Sequence, residues 1–140
     1  MPMDRLVRFI LGGMRFEYDE EKNRKNIQKH GISFKSAARV FFDYDRIEMF
    51  DEEHSYDEYR FDTIGDISAG YVPMNDTGIR QRNLTIGNLN QSIEKVNDIL
   101  FVVYTERVIY EDDGKKFDVT RLISARLATN FERGLYYGKQ

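Results

Sequence analysis

The sequence predicts a single α+β domain over residues 1–140, because helical and strand patterns occupy different stretches of the chain. Residues 99–104 form an unbroken apolar run, which is typical of a central strand covered on both faces. Residues 19–41 carry the cap signals of two helices. The chain is long enough to bury a sizeable core, and its lack of cysteine excludes disulfides and thiolate metal sites.

The two helices are predicted from their ends. Asp19 is placed to accept hydrogen bonds from the free amides of a first turn, and Gly31 is expected to end that helix in the left-handed conformation. Ile27 is the one clear apolar anchor between them. Ser33 is the expected N-cap of the second helix, whose apolar residues follow at helical spacing: Phe34, Ala37, Ala38 and Phe41.

Strands are expected on both sides of these helices. Residues 15–18, 46–50 and 59–64 alternate as strands do, and an acidic turn at 51–55 joins the last two. Residues 1–13 are predicted to be an N-terminal extension ending in a glycine pair. Residues 66–97 are rich in turn formers and are interpreted as a strand–loop–strand excursion or a mobile flap.

Residues 99–126 are predicted to form a β-hairpin around Asp113 and Gly114, because Asp-Gly suits a two-residue type I′ turn. That turn places Glu106 opposite Arg121 as an ion pair on the side that faces the helices. The other side then forms an open face for phosphate that carries Thr105, Arg107, Ser124 and Arg126. One bulge would exchange the two sides. A capping box at 129–132 predicts a short C-terminal helix.

The formal net charge of −3 is unevenly distributed, since both ends of the chain are basic and residues 43–66 are strongly acidic. Two basic ends that meet in space would suit a phosphate-rich ligand, although an ordinary mixed surface is the simpler interpretation. No apolar run approaches the roughly 20 residues of a membrane span. The apolar residues 5–11 are interrupted by Arg8 and are not read as a signal peptide. We therefore expect a cytoplasmic protein without membrane contact.

Several short motifs occur together and in order in this chain. They are residues 16–19 (FEYD), Lys22 with Asn26, residues 29–34 (KHGISF), residues 104–107 (YTER), residues 123–126 (ISAR), and then Ala128, Thr129, Glu132, Arg133 and Tyr136. In these motifs the chain resembles the BrnT family of bacterial toxins. Each motif alone is weak, but the combination is specific and covers most of residues 15–138.

The resemblance implies a RelE-like fold, which is a small antiparallel β-sheet with two N-terminal helices packed on one face and a short C-terminal helix. It implies a metal-independent endoribonuclease that needs no cofactor and arrests growth by cleaving RNA. It also implies a BrnA-type antitoxin as partner, with operator DNA bound only through that antitoxin. Residues 1–13 precede the usual family start, and residues 66–97 are an insertion. A degenerate module that only engages an antitoxin or another partner is the alternative function.

RNA cleavage without a metal needs a base, an acid and positive charge at the phosphate. Arg107 and Arg126 are predicted to supply that charge, because guanidinium is permanently charged and planar, although cross-strand ion pairing would also explain them. His30 and Glu106 are the alternative acid–base groups, with His30 equally explained as a helix-terminal residue. The predicted substrate contacts are Arg60, Lys22, Thr105, Ser124 and Tyr136, although a solvated Lys22 and a core Tyr136 are the simpler interpretations.

Overall fold

The computed structural model describes residues 5–55, 58–68 and 99–138. These residues form an α+β fold, as predicted, with one six-stranded sheet and three α-helices. The strands are β1 (Leu6–Leu11), β2 (Met14–Asp19), β3 (Ile47–Asp51), β4 (Arg60–Asp66), β5 (Ile99–Tyr110) and β6 (Lys116–Leu127). The helices are α1 (Glu20–His30), α2 (Phe34–Ala37) and α3 (Asn130–Gly138), with 3-10 turns at Ala38–Phe42 and Glu52–His54.

The strand order is β1-β2-β6-β5-β4-β3, so the last strand of the chain lies beside an early one. The expected all-antiparallel sheet is wrong at this point, because β2 runs parallel to β6. Parallel neighbours need a long crossover connection, and here the chain between β2 and β6 supplies it. The sheet is therefore mixed, with antiparallel pairing at its other four junctions.

Strand β1 lies within the stretch that the sequence predicted as an N-terminal extension. It forms a tight hairpin with β2, since Gly12 and Gly13 have φ values of 55° and 83° and Leu11 pairs with Met14. Both positions of a type I′ turn need positive φ, which explains the glycine pair. Arg8 is an alternating residue of a strand, and its side chain points away from the core side of β1.

Helix α1 ends as predicted, with Gly31 at φ 72° and its amide donating to the Ile27 carbonyl at 2.7 Å. The expected side-chain cap at its start is wrong, because Asp19 makes no cap hydrogen bond. Its carboxylate instead accepts hydrogen bonds of 3.1 and 3.2 Å from Arg5. An ion pair to Arg5, the residue just before β1, has replaced the local cap.

The expected apolar anchor of α1 is also wrong, since Ile27 is 43% exposed. Asn23 and Asn26 are buried in its place. The Asn26 amide donates to the Ala125 carbonyl at 2.8 Å and accepts from the Ala125 amide at 3.2 Å. Strand β2 pairs with β6 only as far as Arg121, so Asn26 satisfies the edge of β6 beyond that point.

Helices α1 and α2 cover one face of the sheet, which we call the helix face. Its core holds the residues predicted from the second helix, Phe34, Ala37, Ala38 and Phe41, together with Phe16, Tyr18, Val40, Leu100, Val102, Tyr104, Leu122 and Ala125. Ser33 caps α2 as predicted, accepting from the Ser36 amide at 3.1 Å. Helix α3 packs on the opposite face, where Tyr136 joins Ile64 and Ile99.

The β5–β6 hairpin differs from the predicted register by one residue near its turn. The Gly114 amide donates to the Glu111 carbonyl at 2.9 Å, and the Glu111 amide donates to the Lys115 carbonyl at 2.8 Å. The loop therefore has three residues, with Gly114 at φ 86° as its bulge residue. A second irregularity at Ile123 restores the predicted register further along, where Val103 pairs with Ser124.

These two irregularities decide which side chains share a face. Glu106 lies opposite Thr120, and Arg121 lies opposite Thr105 on the other face, so the predicted Glu106–Arg121 pair is wrong. The predicted grouping on one face is confirmed for Thr105, Arg107, Ser124 and Arg126. Residues 69–98, which include most of the predicted insertion, lie outside the described residues. None of the described helices is long and apolar enough to cross a membrane.

Candidate functional site

A row of polar side chains crosses the whole sheet on the face opposite α1 and α2, which we call the arginine face. Pairing partners in register define this arginine row: Arg8 on β1, Glu17 on β2, Arg121 on β6, Thr105 on β5, Arg60 on β4 and Asp51 on β3. We include Arg107 in the row, because it lies two residues from Thr105 on the same face of β5 and contacts Glu17. Neighbouring strands lie about 4.8 Å apart. Arg121 and Arg60 therefore flank Thr105 from the two adjacent strands.

Glu17 is the anchor of the row, with no exposed surface. Its carboxylate contacts Arg8 Nε at 3.0 Å, Arg107 Nη1 at 2.5 Å and Arg121 Nη2 at 2.7 Å. The three arginine side chains are 49%, 36% and 25% exposed, so each reaches from the buried carboxylate towards solvent. One negative charge thus holds three positive charges at the surface.

The surrounding charges set the ionisation of this carboxyl group. Burial alone would raise the pKa of Glu17, but the hydrogen bond from Arg8 and the charges of Arg121 and Arg107 outweigh it and hold the pKa below its ordinary value. Glu17 is therefore ionised at neutral pH. It positions the arginines and is a poor proton acceptor.

Thr105 and Arg60 continue the row beyond Glu17. Thr105 is 1% exposed, and its hydroxyl has no hydrogen-bond partner among the described residues. Within the same part of the chain, the guanidinium of Arg60 makes no hydrogen bond or ion pair, and its backbone amide donates to the Ser55 hydroxyl at 2.9 Å. An uncommitted guanidinium and an unpartnered hydroxyl beside a cluster of positive charge suit an anionic ligand.

Part of the chain matches the model of a known protein family. Residues 18–74, about two fifths of the chain, match the model of a family described as ribonuclease toxin, BrnT, of type II toxin–antitoxin system. Over residues 18–74 the chain is therefore similar to the BrnT toxin family. The resemblance predicted from the motifs is therefore confirmed over that segment. No curated protein matches the chain.

The BrnT family description implies a ribonuclease role, an RNA substrate and an antitoxin partner. The matched segment contains α1, β3 and β4 and ends inside the stretch that is not described. Of the arginine row it includes Arg60 and Asp51. Arg8, Glu17, Thr105, Arg107 and Arg121 lie outside it, so their place in the site rests on geometry.

Arg107 and Arg126 lie on the same face but do not converge on one point. Arg126 pairs with Phe101, six residues before Arg107 on β5, which separates the two arginines by about 20 Å along the strand. Arg126 instead forms a two-pronged pair with Glu132 on α3, at 2.8 and 2.9 Å. The hydrogen bonds that Arg126 donates to the Glu132 carboxylate raise the pKa of Arg126. In this position Arg126 ties α3 to the sheet.

The two acid–base candidates lie away from the arginine row. Glu106 is exposed and belongs to the helix side of β5, where it pairs with Thr120. His30 ends α1 and borders a groove with Leu100 and Leu127, on the helix face. The structure therefore does not bring either of them together with Arg107.

The remaining predicted contacts fall in different environments. Tyr136 is 4% exposed, and its hydroxyl donates to Asp43 at 2.5 Å, so it packs α3 onto the fold. Lys22 is exposed on α1. Ser124 lies half-buried on the arginine face. Among the described residues, no group of three or more His, Asp or Glu side chains is arranged to hold a metal ion.

Sequence reasoning did not include Arg8, Glu17 and Arg121 in the site. In the sequence Arg8 interrupts an apolar run, although the alternation of residues 6–11 is itself a strand signal. Glu17 and Arg121 are 104 residues apart, and only the parallel pairing of β2 with β6 brings them together. Nothing local in the sequence shows that pairing.

Proposed function

We propose that this chain is the toxin of a type II toxin–antitoxin system and that it cleaves RNA at the arginine face without a metal ion. The observation that carries the proposal is the arginine row, in which Arg8, Arg107 and Arg121 are held around buried Glu17. The match of residues 18–74 to a ribonuclease toxin family supports RNA as the substrate. The proposal includes a RelE-like fold and growth arrest in the cytoplasm.

Arg107 and Arg121 are proposed to bind the scissile phosphate. In metal-free cleavage the ribose 2′-oxygen attacks phosphorus and the 5′-oxygen leaves, so negative charge builds up on the phosphate oxygens. Planar guanidinium groups fixed in advance stabilise that charge. Arg60 and the Thr105 hydroxyl extend the same row and are proposed to contact a further phosphate oxygen.

The proton transfers need separate groups, because guanidinium keeps its proton at neutral pH and Glu17 is held ionised by its three arginines. His30 and Glu106 lie on the helix side, so they serve as acid and base only if the RNA reaches around the sheet. The arginines therefore carry the proposal. We assign Arg126 and Tyr136 to the attachment of α3.

The proposed partner is a BrnA-type antitoxin that neutralises the toxin, and operator DNA is bound through that antitoxin. The family description supports the antitoxin class, since type II systems pair a toxin with a protein inhibitor. The exposed surface of the arginine row offers the inhibitor a direct target. An antitoxin that covers Arg107 and Arg121 would exclude RNA from the site.

One observation favours a second candidate, a degenerate module that engages an antitoxin or another partner without cleaving RNA. The Glu17 carboxylate already occupies Arg107 and Arg121 at 2.5 and 2.7 Å, as a phosphate oxygen would. If a substrate phosphate cannot compete with this internal carboxylate, the cluster is only structural. The chain would then keep its partner and lose its chemistry.

Replacing Arg107 tests the proposal directly. In EDTA, purified protein is expected to cleave RNA, and Arg107→Ala is expected to lower the rate by about 10²–10³-fold, because one donor to the charged transition state is lost. Arg24→Ala is the matched control, since Arg24 is 67% exposed on α1, away from the arginine face. The measurement is the rate of RNA cleavage, with the thermal unfolding midpoint of each variant as the test of folding.

Two outcomes contradict the proposal in different ways. Intact RNA after incubation with the wild-type protein supports the degenerate module. Unchanged cleavage by Arg107→Ala, with the control also unchanged, would show that the arginine row is not where RNA is cut.

A further inference from the structure

A cleft of about 250 Å³ lies beside the arginine row, between the β1–β2 hairpin and β6. Strands β2 and β6 pair only at Phe16–Thr120 and Glu17–Arg121. Before Phe16 they are no longer joined by the ladder, and the cleft opens there. Its lining includes Arg8, Ile10, Arg15, Ile109, Phe117 and Val119.

The side chains of Arg15 and Phe117 give this cleft a flat, cationic wall. The Arg15 guanidinium carbon lies 3.8 Å from the centroid of the Phe117 ring, which is the geometry of a stacked cation–π pair. Arg15 is exposed and Phe117 is half-buried. Unpaired bases of RNA stack on aromatic rings and on guanidinium planes of this kind.

Arg8 connects the cleft to the arginine row. It lines the cleft and also donates to Glu17 at 3.0 Å. A ligand that fills the cleft therefore lies next to the positive charges of Arg107 and Arg121. This juxtaposition suits a nucleotide whose phosphate is held by the row and whose base enters the cleft.

The charge and size of the cleft favour a nucleobase over a phosphate group as its occupant. Glu111 also lines it, and a carboxylate there repels a phosphate group. The volume is below the roughly 300–1,000 Å³ of pockets for drug-sized ligands, which fits one base better than two. The apolar residues Ile10 and Ile109 complete surroundings suited to a ring rather than to a charged group.

We infer that the cleft is a subsite for one unpaired nucleobase of the RNA, adjacent to the phosphate bound by the arginine row. The inference rests on the proposed function, because it assumes that RNA occupies the arginine face. It adds a base-binding position that lies wholly outside the matched segment, residues 18–74.

The test measures binding of a short single-stranded RNA made uncleavable by 2′-deoxy substitution. It is compared with a set of oligonucleotides of the same sequence, each of which has one nucleotide replaced by an abasic nucleotide at a different position. Arg15→Lys keeps the charge but removes the plane, and Phe117→Leu keeps an apolar side chain but removes the ring. The matched control is Phe131→Leu, since Phe131 is an aromatic residue 75% exposed on α3.

With wild-type protein, one abasic position is expected to weaken binding roughly tenfold, as expected for the loss of one stacked base. Arg15→Lys and Phe117→Leu are each expected to weaken the intact RNA by a similar factor and to leave the RNA with that abasic position unchanged. The control is expected to bind like the wild type. The subsite is overturned if the two variants weaken binding of the intact and the abasic RNA equally, or if they weaken binding of neither RNA. It is also overturned if the wild-type protein does not bind RNA.

Cleavage separates the subsite from the proposed activity. Base-dependent binding without cleavage in EDTA would overturn the ribonuclease proposal and leave the subsite standing. Cleavage of RNA by a protein whose binding does not depend on any abasic position would support the ribonuclease proposal and overturn the subsite.

Discussion

The two faces of the sheet meet different demands, although the same strands build both. On the helix face, Phe16 and Leu122 are fully buried among aromatic and aliphatic side chains. On the arginine face, their neighbours Glu17 and Arg121 form a cluster of charges. Burying a carboxylate is costly, and well-packed apolar residues stabilise a fold at least as well. The helix face therefore serves the fold, and the arginine face is the surface that we propose to bind RNA.

The arginine face itself has two regions. Near β4, α3 covers Ile64 and Ile99, and its Glu132 holds Arg126. The arginine row lies further along the β5–β6 pair, and its Arg8, Arg107 and Arg121 are partly exposed. Arginines of one face therefore have different ion-pair partners. Arg126 is bound to Glu132 on α3, whereas the arginines of the row are bound to Glu17.

The largest expected contrast is between a core ring and a surface guanidinium. Phe34→Ala is expected to lower the free energy of unfolding by about 4 kcal/mol, because a fully buried ring on the helix face leaves a cavity. Arg107→Ala is expected to lower it by about 1 kcal/mol or less, since this arginine is 36% exposed and Glu17 keeps two other partners. Urea denaturation of both variants measures the difference. Equal losses would mean that the arginine face supports the fold as strongly as the helix face.

The next largest expected effect is that of Glu17→Gln. This variant is expected to lower the free energy of unfolding by about 3 kcal/mol at neutral pH, because three arginines lose their buried carboxylate. The folded-state pKa of Glu17 is lowered, so its contribution is fully present above the unfolded value of about 4.5 and is lost as the pH falls through the folded value. The difference in thermal midpoint between wild type and variant should be constant from pH 7 to about 5 and then shrink. A constant difference down to pH 2 would contradict the ion-pair explanation.

The smallest expected effect concerns how α1 is held on the helix face. Asn26→Ala is expected to cost about 2 kcal/mol, since it leaves the buried peptide of Ala125 without partners. Ile27→Ala, one residue away, is expected to cost less than about 0.5 kcal/mol because Ile27 is 43% exposed. Thermal denaturation of the pair decides between a polar and an apolar anchor. A larger loss of stability for Ile27→Ala than for Asn26→Ala would show that Ile27 is the anchor of α1, as the apolar pattern predicts.

Local signals in the sequence were sufficient for most elements of the fold. Gly31 and Ser33 mark the helix boundary because their cap geometry depends on neighbouring residues alone. The strands around residues 47–51 and 60–66 follow from alternation in the same way. The capping box of α3 is formed, with the Glu132 amide donating to Thr129 at 3.1 Å.

The register and the site depended on contacts that no local pattern encodes. An Asp-Gly pair suits a two-residue turn, yet Gly114 serves as the bulge of a three-residue loop and moves Arg121 to the other face. Asn26 anchors α1 through a hydrogen bond to a residue 99 positions away. The polar middle of β5 is enough to make Arg107 and Thr105 candidates from the sequence alone, whereas Arg8 and Glu17 become candidates only once the strand order is known.

The pairing of β2 with β6 also sets when the arginine row can exist. Protein synthesis is directional, so β1 and β2 leave the ribosome long before β6 has been made. A nascent chain that stops before Lys116 has neither Arg121 nor β6, which is the second neighbour of β2, so the β1–β2 hairpin must wait for a contact of very long sequence separation. The row is complete only when translation is nearly finished. Aborted copies of the chain therefore contain no complete arginine row.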